Sequence, residues 1–136
     1  MKLHTTNYFD TFIVVAEDTK ATSGTIPPSK EKPTIAEMQY KLIAENPYKL
    51  TSDDVLYQVF AVRNDFNKAE HKKERELFFS KEHPCFRSSP LTKTYGFGIH
   101  SNNEGKIALF GMETKEYQKF IADKQIRKVK AMKSNK

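Results

Sequence analysis

The chain has 136 residues, of which 38% are hydrophobic and 29% charged, with five glycines and six prolines. That composition excludes collagen-like and low-complexity chains and suits a single packed core. No apolar run approaches the ~20 residues of a membrane helix, and Met1-Lys2-Leu3-His4-Thr5-Thr6 lacks the apolar stretch of a signal peptide, so a cytoplasmic location without a membrane partner is expected. The net charge of +6 is unevenly placed: Lys124, Arg127, Lys128, Lys130, Lys133 and Lys136 all follow the last acidic residue. Setting those six aside leaves 17 basic residues against 17 acidic ones in residues 1–123. The expected organisation is therefore a neutral domain over 1–123 and a solvated, partly helical basic tail over 124–136.

In chain order, residues 8–16 (Tyr-Phe-Asp-Thr-Phe-Ile-Val-Val-Ala) are rich in aromatic and β-branched side chains and read as a strand. Residues 17–33 hold Ser23-Gly24, Pro27-Pro28 and Lys32-Pro33, a density of breakers that predicts a long irregular loop. Thr34 and Glu37 have the spacing of a capping box and start a helix whose apolar stripe is Ile35, Met38, Leu42 and Ile43, stopped by Asn46-Pro47. Ser52-Asp53-Asp54 repeats the start signal ahead of Val55, Leu56, Val59, Phe60 and Arg63; the β-branched and aromatic content of residues 55–62 leaves a strand as the competing reading. Residues 68–80 are helical by propensity, and Ser89-Pro90 is a cap followed by proline at the first helical position, predicting a short helix at 91–93. Residues 95–100 and 106–110, joined through Asn102-Asn103-Glu104-Gly105, predict a β-hairpin. Thr114 caps a last helix with Tyr117, Phe120 and Ile121 on its buried stripe. Together these elements predict an α+β fold: a small antiparallel sheet of about three strands covered on one face by about four helices.

Residues 83–93 concentrate the chemistry. Cys85, Arg87, Ser88, Ser89 and Lys93 sit close together, so Arg87 or the helix start after Ser89 offers an electropositive pocket for a thiolate or an anion. A thiol-dependent enzyme would use Cys85 as nucleophile and His100 as base, whereas a buried structural Cys85 is the favoured reading because one cysteine and a distant histidine match no nucleophile signature. A single cysteine also makes no internal disulfide. Gly96 and Gly98 alternate with Tyr95, Phe97 and Ile99, placing two glycines on one face; that marks close approach, by a ligand or, as favoured, by a packed helix. The ligand-binding set is thus Arg87, Ser88, Ser89, Lys93, Tyr95, Gly96 and Gly98. His4, His71, His83 and His100 lack metal-ligand spacing, and no metal or cofactor is expected. Asp53 and Asp54 cap a helix and are discounted as catalysts. Most of the ten Phe and six Tyr, Phe9 included, are assigned to the core.

At His4-Thr5-Thr6-Asn7-Tyr8-Phe9-Asp10-Thr11-Phe12-Ile13, Tyr48-Lys49-Leu50-Thr51-Ser52-Asp53-Asp54-Val55 and Tyr95-Gly96-Phe97-Gly98-Ile99-His100, the chain resembles a family of small bacterial proteins known as a domain of unknown function. The resemblance runs over about residues 4–122, includes Pro84-Cys85-Phe86-Arg87-Ser88-Ser89-Pro90-Leu91 and leaves out the basic segment. It implies a bacterial, cytosolic, single-domain protein and supplies no catalytic set. From the residues, the leading expectation is a binding or interaction module for an anionic small molecule, with two alternatives. One is the Cys85–His100 enzyme. The other is nucleic-acid association through Lys124, Arg127, Lys128 and Lys130, which requires cations held at fixed spacing.

Overall fold

The computed structural model describes residues 3–133. Its central feature is a four-stranded mixed sheet that joins the two ends of the chain. The strands are β1 (Thr11–Val14), β2 (Phe97–Ser101), β3 (Ile107–Gly111) and β4 (Arg127–Lys130), in the order β3-β2-β1-β4. β1 pairs antiparallel with β2 and parallel with β4, and β2 pairs antiparallel with β3. The α+β class is as expected, but the sheet has a fourth strand and is not purely antiparallel. That strand lies inside the supposed tail: residues 127–130 are neither helical nor detached, because Phe12 stands in register with Lys128 and Ile13 with Val129.

The helices are α1 (Ile35–Glu45), α2 (Ser52–Asn64), α3 (His71–Phe79), α4 (Pro90–Lys93) and α5 (Lys115–Ala122). Because side chains alternate along a strand, Phe12 and Ile13 point to opposite faces, and each face has its own core. Ile13, Ile99 and Ile107 bury against Ile43 of α1, Val55 of α2 and Leu91 of α4, with Phe86 and Ala131 in the same cluster. On the other face Phe12, Val15 and Tyr117 form a second cluster with Phe110 and Phe120 beside it. The helices therefore cover both faces, α5 alone among the five lying on the Phe12 side, in place of the one-sided cover expected.

Local signals explain the element boundaries. Thr34 accepts from the Glu37 amide as its spacing requires, but the Glu37 carboxylate turns away from the cap to the Lys30 amide and Lys41, so the reciprocal half of the box is missing. The complete box is at α2, where Thr51 accepts from the Asp54 amide and Asp54 accepts from the Thr51 amide; this cap settles residues 52–64 as helix rather than strand. Asp53 at that helix start accepts three bonds from Thr5 and Thr6 and so ties down the beginning of the chain. Three packing expectations fail: Phe9 is 55% exposed, and Ile35 and Ile121 are at the surface. Gln39 is buried because its amide oxygen receives Ser89. α2 and α3 carry a third apolar cluster of their own, with Tyr57, Ala61 and Phe79 buried and Phe60, Phe66 and Phe78 against them.

Candidate functional site

The connector from Cys85 to Tyr95 is built by its own hydroxyls. Ser89 is buried; its Oγ accepts from the Leu91 amide at 3.1 Å, capping α4, and donates to Gln39 Oε1 at 2.6 Å. Thr92 Oγ1 donates to the Phe86 carbonyl at 2.7 Å, and Ser88 Oγ donates to Met132 Sδ at 2.8 Å. The Tyr95 carbonyl accepts from the Thr25 amide, tethering the long loop of residues 17–33 to the end of α4. These groups hold the connector in place, and the Ser88 and Ser89 hydroxyls and the Tyr95 carbonyl are committed to that task.

The glycine pair is covered by the fold itself. Gly96 has φ +78, and a Cβ there would stand 2.4 Å from the Ser23 carbonyl oxygen, so the loop backbone occupies its open side. A Cβ on Gly98 would meet Phe12 Cζ at 2.5 Å and Tyr117 Cε2 at 2.7 Å. α5 and β1 thus pack onto Gly98 and the 17–33 loop onto Gly96, so the fold itself lies against both glycines that were expected in a ligand site.

Cys85 and His100 have separate partners on opposite sides of the sheet. The half-buried Cys85 Sγ lies 3.3 Å from the Tyr8 hydroxyl, and Tyr8 packs on the Ile13-side core with Phe86. Burial and then the thiol push the Tyr8 hydroxyl above its ordinary pKa, against the smaller opposing pull of the Arg87 and Arg127 charges. His100 stands in register with Phe12 and stacks on Phe120 of α5 at 4.4 Å, its Nδ1 2.9 Å from the Tyr48 hydroxyl. Burial lowers its pKa against the opposing charge of Asp10. The sheet therefore separates the pair a thiol mechanism would need, and His100 is engaged with a tyrosine.

What the structure does assemble lies along β4. Arg87 Nε donates to the Lys130 carbonyl at 2.6 Å, and the Met132 amide returns a bond to the Arg87 carbonyl at 2.8 Å. Beside this junction Glu17, Arg87, Lys130, Ala131, Met132 and Lys133 line a cleft of about 400 Å³. Glu17 is the one carboxylate there; Lys130 bonds it directly and Lys133 stands at 3.5 Å, and the Lys130 bond is the main reason its pKa is lowered. Of the residues expected to bind a ligand, Arg87 is the one that reaches this cleft; Lys93, in the last turn of α4, is not among its walls. Glu17 is not among the residues the sequence points to, and Lys133 is there only as part of the basic segment. The signal for β4 was present in Ile126 and Val129, two β-branched residues spaced among the cations.

A four-stranded mixed sheet, helices on both faces and a cationic edge define a small α+β protein. Its chain belongs to DUF6157, a family of unknown function, whose sequence model matches residues 3–136. The match extends the resemblance over 4–122 through the basic segment, as expected of residues that supply a strand. No curated protein and no solved structure matches the chain. Among the described residues no helix is long and apolar enough to cross a membrane.

Proposed function

We propose that this protein is a binding module for phosphate-bearing anions, with its contact surface formed by Arg87 and the β4 edge. The observation that carries the reading is the ordering of the basic segment. Arg127, Lys128 and Lys130 occupy a strand hydrogen-bonded to β1, so the strand fixes their positions: Lys128 and Lys130 leave from one face, about 6.6 Å apart along the strand, and Arg127 from the other, while the Lys128 ammonium is further held by the Asp123 and Ile126 carbonyls. Fixed spacing is what simultaneous neutralisation of several anionic groups requires. Arg87 adds a guanidinium with donors left over after its Nε bond, a geometry suited to bidentate phosphate contact. Glu17 fills part of the cleft as an internal carboxylate that an incoming anion displaces.

A strand edge studded with Lys has a second physical role, since such charges discourage edge-to-edge pairing with other chains. The two roles separate experimentally. Titration of the full chain with pyrophosphate and with a short single-stranded oligonucleotide, at several salt concentrations, is expected to show saturable binding that weakens as salt rises. Four contacts on an oligonucleotide give a log–log slope of about −3. Arg87→Ala and Arg127→Ala are expected to weaken binding, and Glu17→Gln to strengthen it. Binding unaffected by all three substitutions, or none at low salt, overturns the proposal and leaves edge protection as the role of the cations.

A further inference from the structure

A cavity lies away from β4, where α2 turns into α3. It measures about 620 Å³, and its walls include Tyr57, Ala61, Val62 and Phe66. Tyr57 and Ala61 are buried at its floor, whereas Val62 is 69% exposed at its rim, a large apolar side chain that no part of the fold covers. The floor is tied to α3: Tyr57 donates its hydroxyl to the His71 carbonyl at 3.2 Å, and the His71 ring meets Tyr57 edge to face at 5.8 Å. Arg75 also lines the cavity, but its charge is spent. Its Nη2 lies 2.8 Å from Asp54 Oδ1, and its guanidinium rests over the Tyr57 and Phe79 rings at 5.6 and 5.5 Å.

Two charges in the wall are not spent in this way. Asp65 ends α2 in the left-handed conformation, φ +54, and Lys72 stands in the first turn of α3; they line one cavity and form no ion pair with each other. Asp65 also sits at the carbonyl end of α2, where the helix dipole favours a cation, and Lys72 at the amide end of α3, where it favours an anion. From this we infer that the cavity is a binding site for a small aromatic zwitterion, an aromatic amino acid in chemical class. The ring lies on Tyr57, Ala61, Val62 and Phe66, the ammonium is drawn to Asp65 and the carboxylate to Lys72. Aromatic walls with a few charged groups at the mouth are the usual construction of a small-ligand site.

The test uses the full chain with three probes of one ring system: L-tryptophan, tryptamine, which lacks the carboxylate, and indole-3-propionate, which lacks the ammonium. Binding is followed by calorimetry. Tryptophan is expected to bind tightest. Asp65→Asn, which keeps a residue tolerant of the left-handed backbone, is expected to weaken tryptophan and tryptamine by about three- to fivefold and to leave indole-3-propionate unchanged. Lys72→Ala is expected to weaken tryptophan and indole-3-propionate and to spare tryptamine. Val62→Trp, at an exposed position that the fold tolerates, fills the mouth and is expected to weaken all three. Absence of saturable tryptophan binding, or binding indifferent to Val62→Trp, overturns the site; indole-3-propionate or tryptamine binding as tightly as tryptophan overturns the zwitterion.

Discussion

Arg87 Nε donates to the main-chain carbonyl of Lys130 across 43 positions of sequence, and that bond fastens the last strand to the connector. The Ala131 amide continues the docking by donating to the Val14 carbonyl at 2.8 Å, and Ala131 itself is buried in the Ile13-side core. Arg87→Ala is therefore expected to destabilise the fold by about 1 kcal/mol and to speed amide exchange at Ala131 and Met132 more than in α2. A chain ending at residue 126 is expected to lose far more, because β1 becomes an open edge and Val129 and Ala131 leave the core. Equal stability of the shortened chain in urea would show that β4 is not part of the cooperative unit. Charge substitution, not deletion, is accordingly the valid way to probe the basic segment.

At Gly98 the methyl of an alanine would meet two aromatic rings of the Phe12-side core, neither of which is the free end of a flexible chain. Gly98→Ala is expected to cost about 1–3 kcal/mol through overpacking, read as a lower urea midpoint with unchanged slope. A neutral outcome would mean that α5 is loosely seated.

His100 makes stability depend on pH. Its pKa in the folded protein is held below the ordinary imidazole value by burial, so the unfolded chain binds the proton more readily. The folded state then loses stability as pH falls from about 6.5, the unfolded imidazole value, through the folded pKa, and holds it in full above that window. His100→Gln is expected to flatten this part of the curve. A variant with the same pH dependence as the parent would place its origin in another group.

Asp53 holds Thr5 and Thr6 through three bonds of 2.7 Å. Asp53→Ala leaves the partly buried Thr6 amide without its acceptor and is expected to cost about 1–3 kcal/mol, with loss of exchange protection at Thr6 ahead of global unfolding. Unchanged protection at Thr6 would assign the anchoring to other contacts.

The local elements are legible in the amino-acid order. Caps at Thr34, Ser89 and Thr114 and the Asn102–Gly105 turn act within a few residues, so their hydrogen bonds are legible in one stretch of chain, whereas the stripe of α5 is read correctly at Tyr117 but not at Ile121, which is exposed. The capping box of α2 needed only a shift from Ser52 to Thr51. Features that depend on distant partners emerge only once the chain is folded. Residues 127–130 look like a charged tail until β1 offers its open edge, since a strand has no internal hydrogen bonds to announce it. Gln39 is buried because Ser89, 50 residues away, satisfies it, and Glu37 deserts its cap for Lys30 and Lys41. The separation of Cys85 from His100 follows from which way each side chain leaves its segment relative to the sheet. That direction is fixed by strand register and packing, and neighbouring letters in a sequence do not carry it.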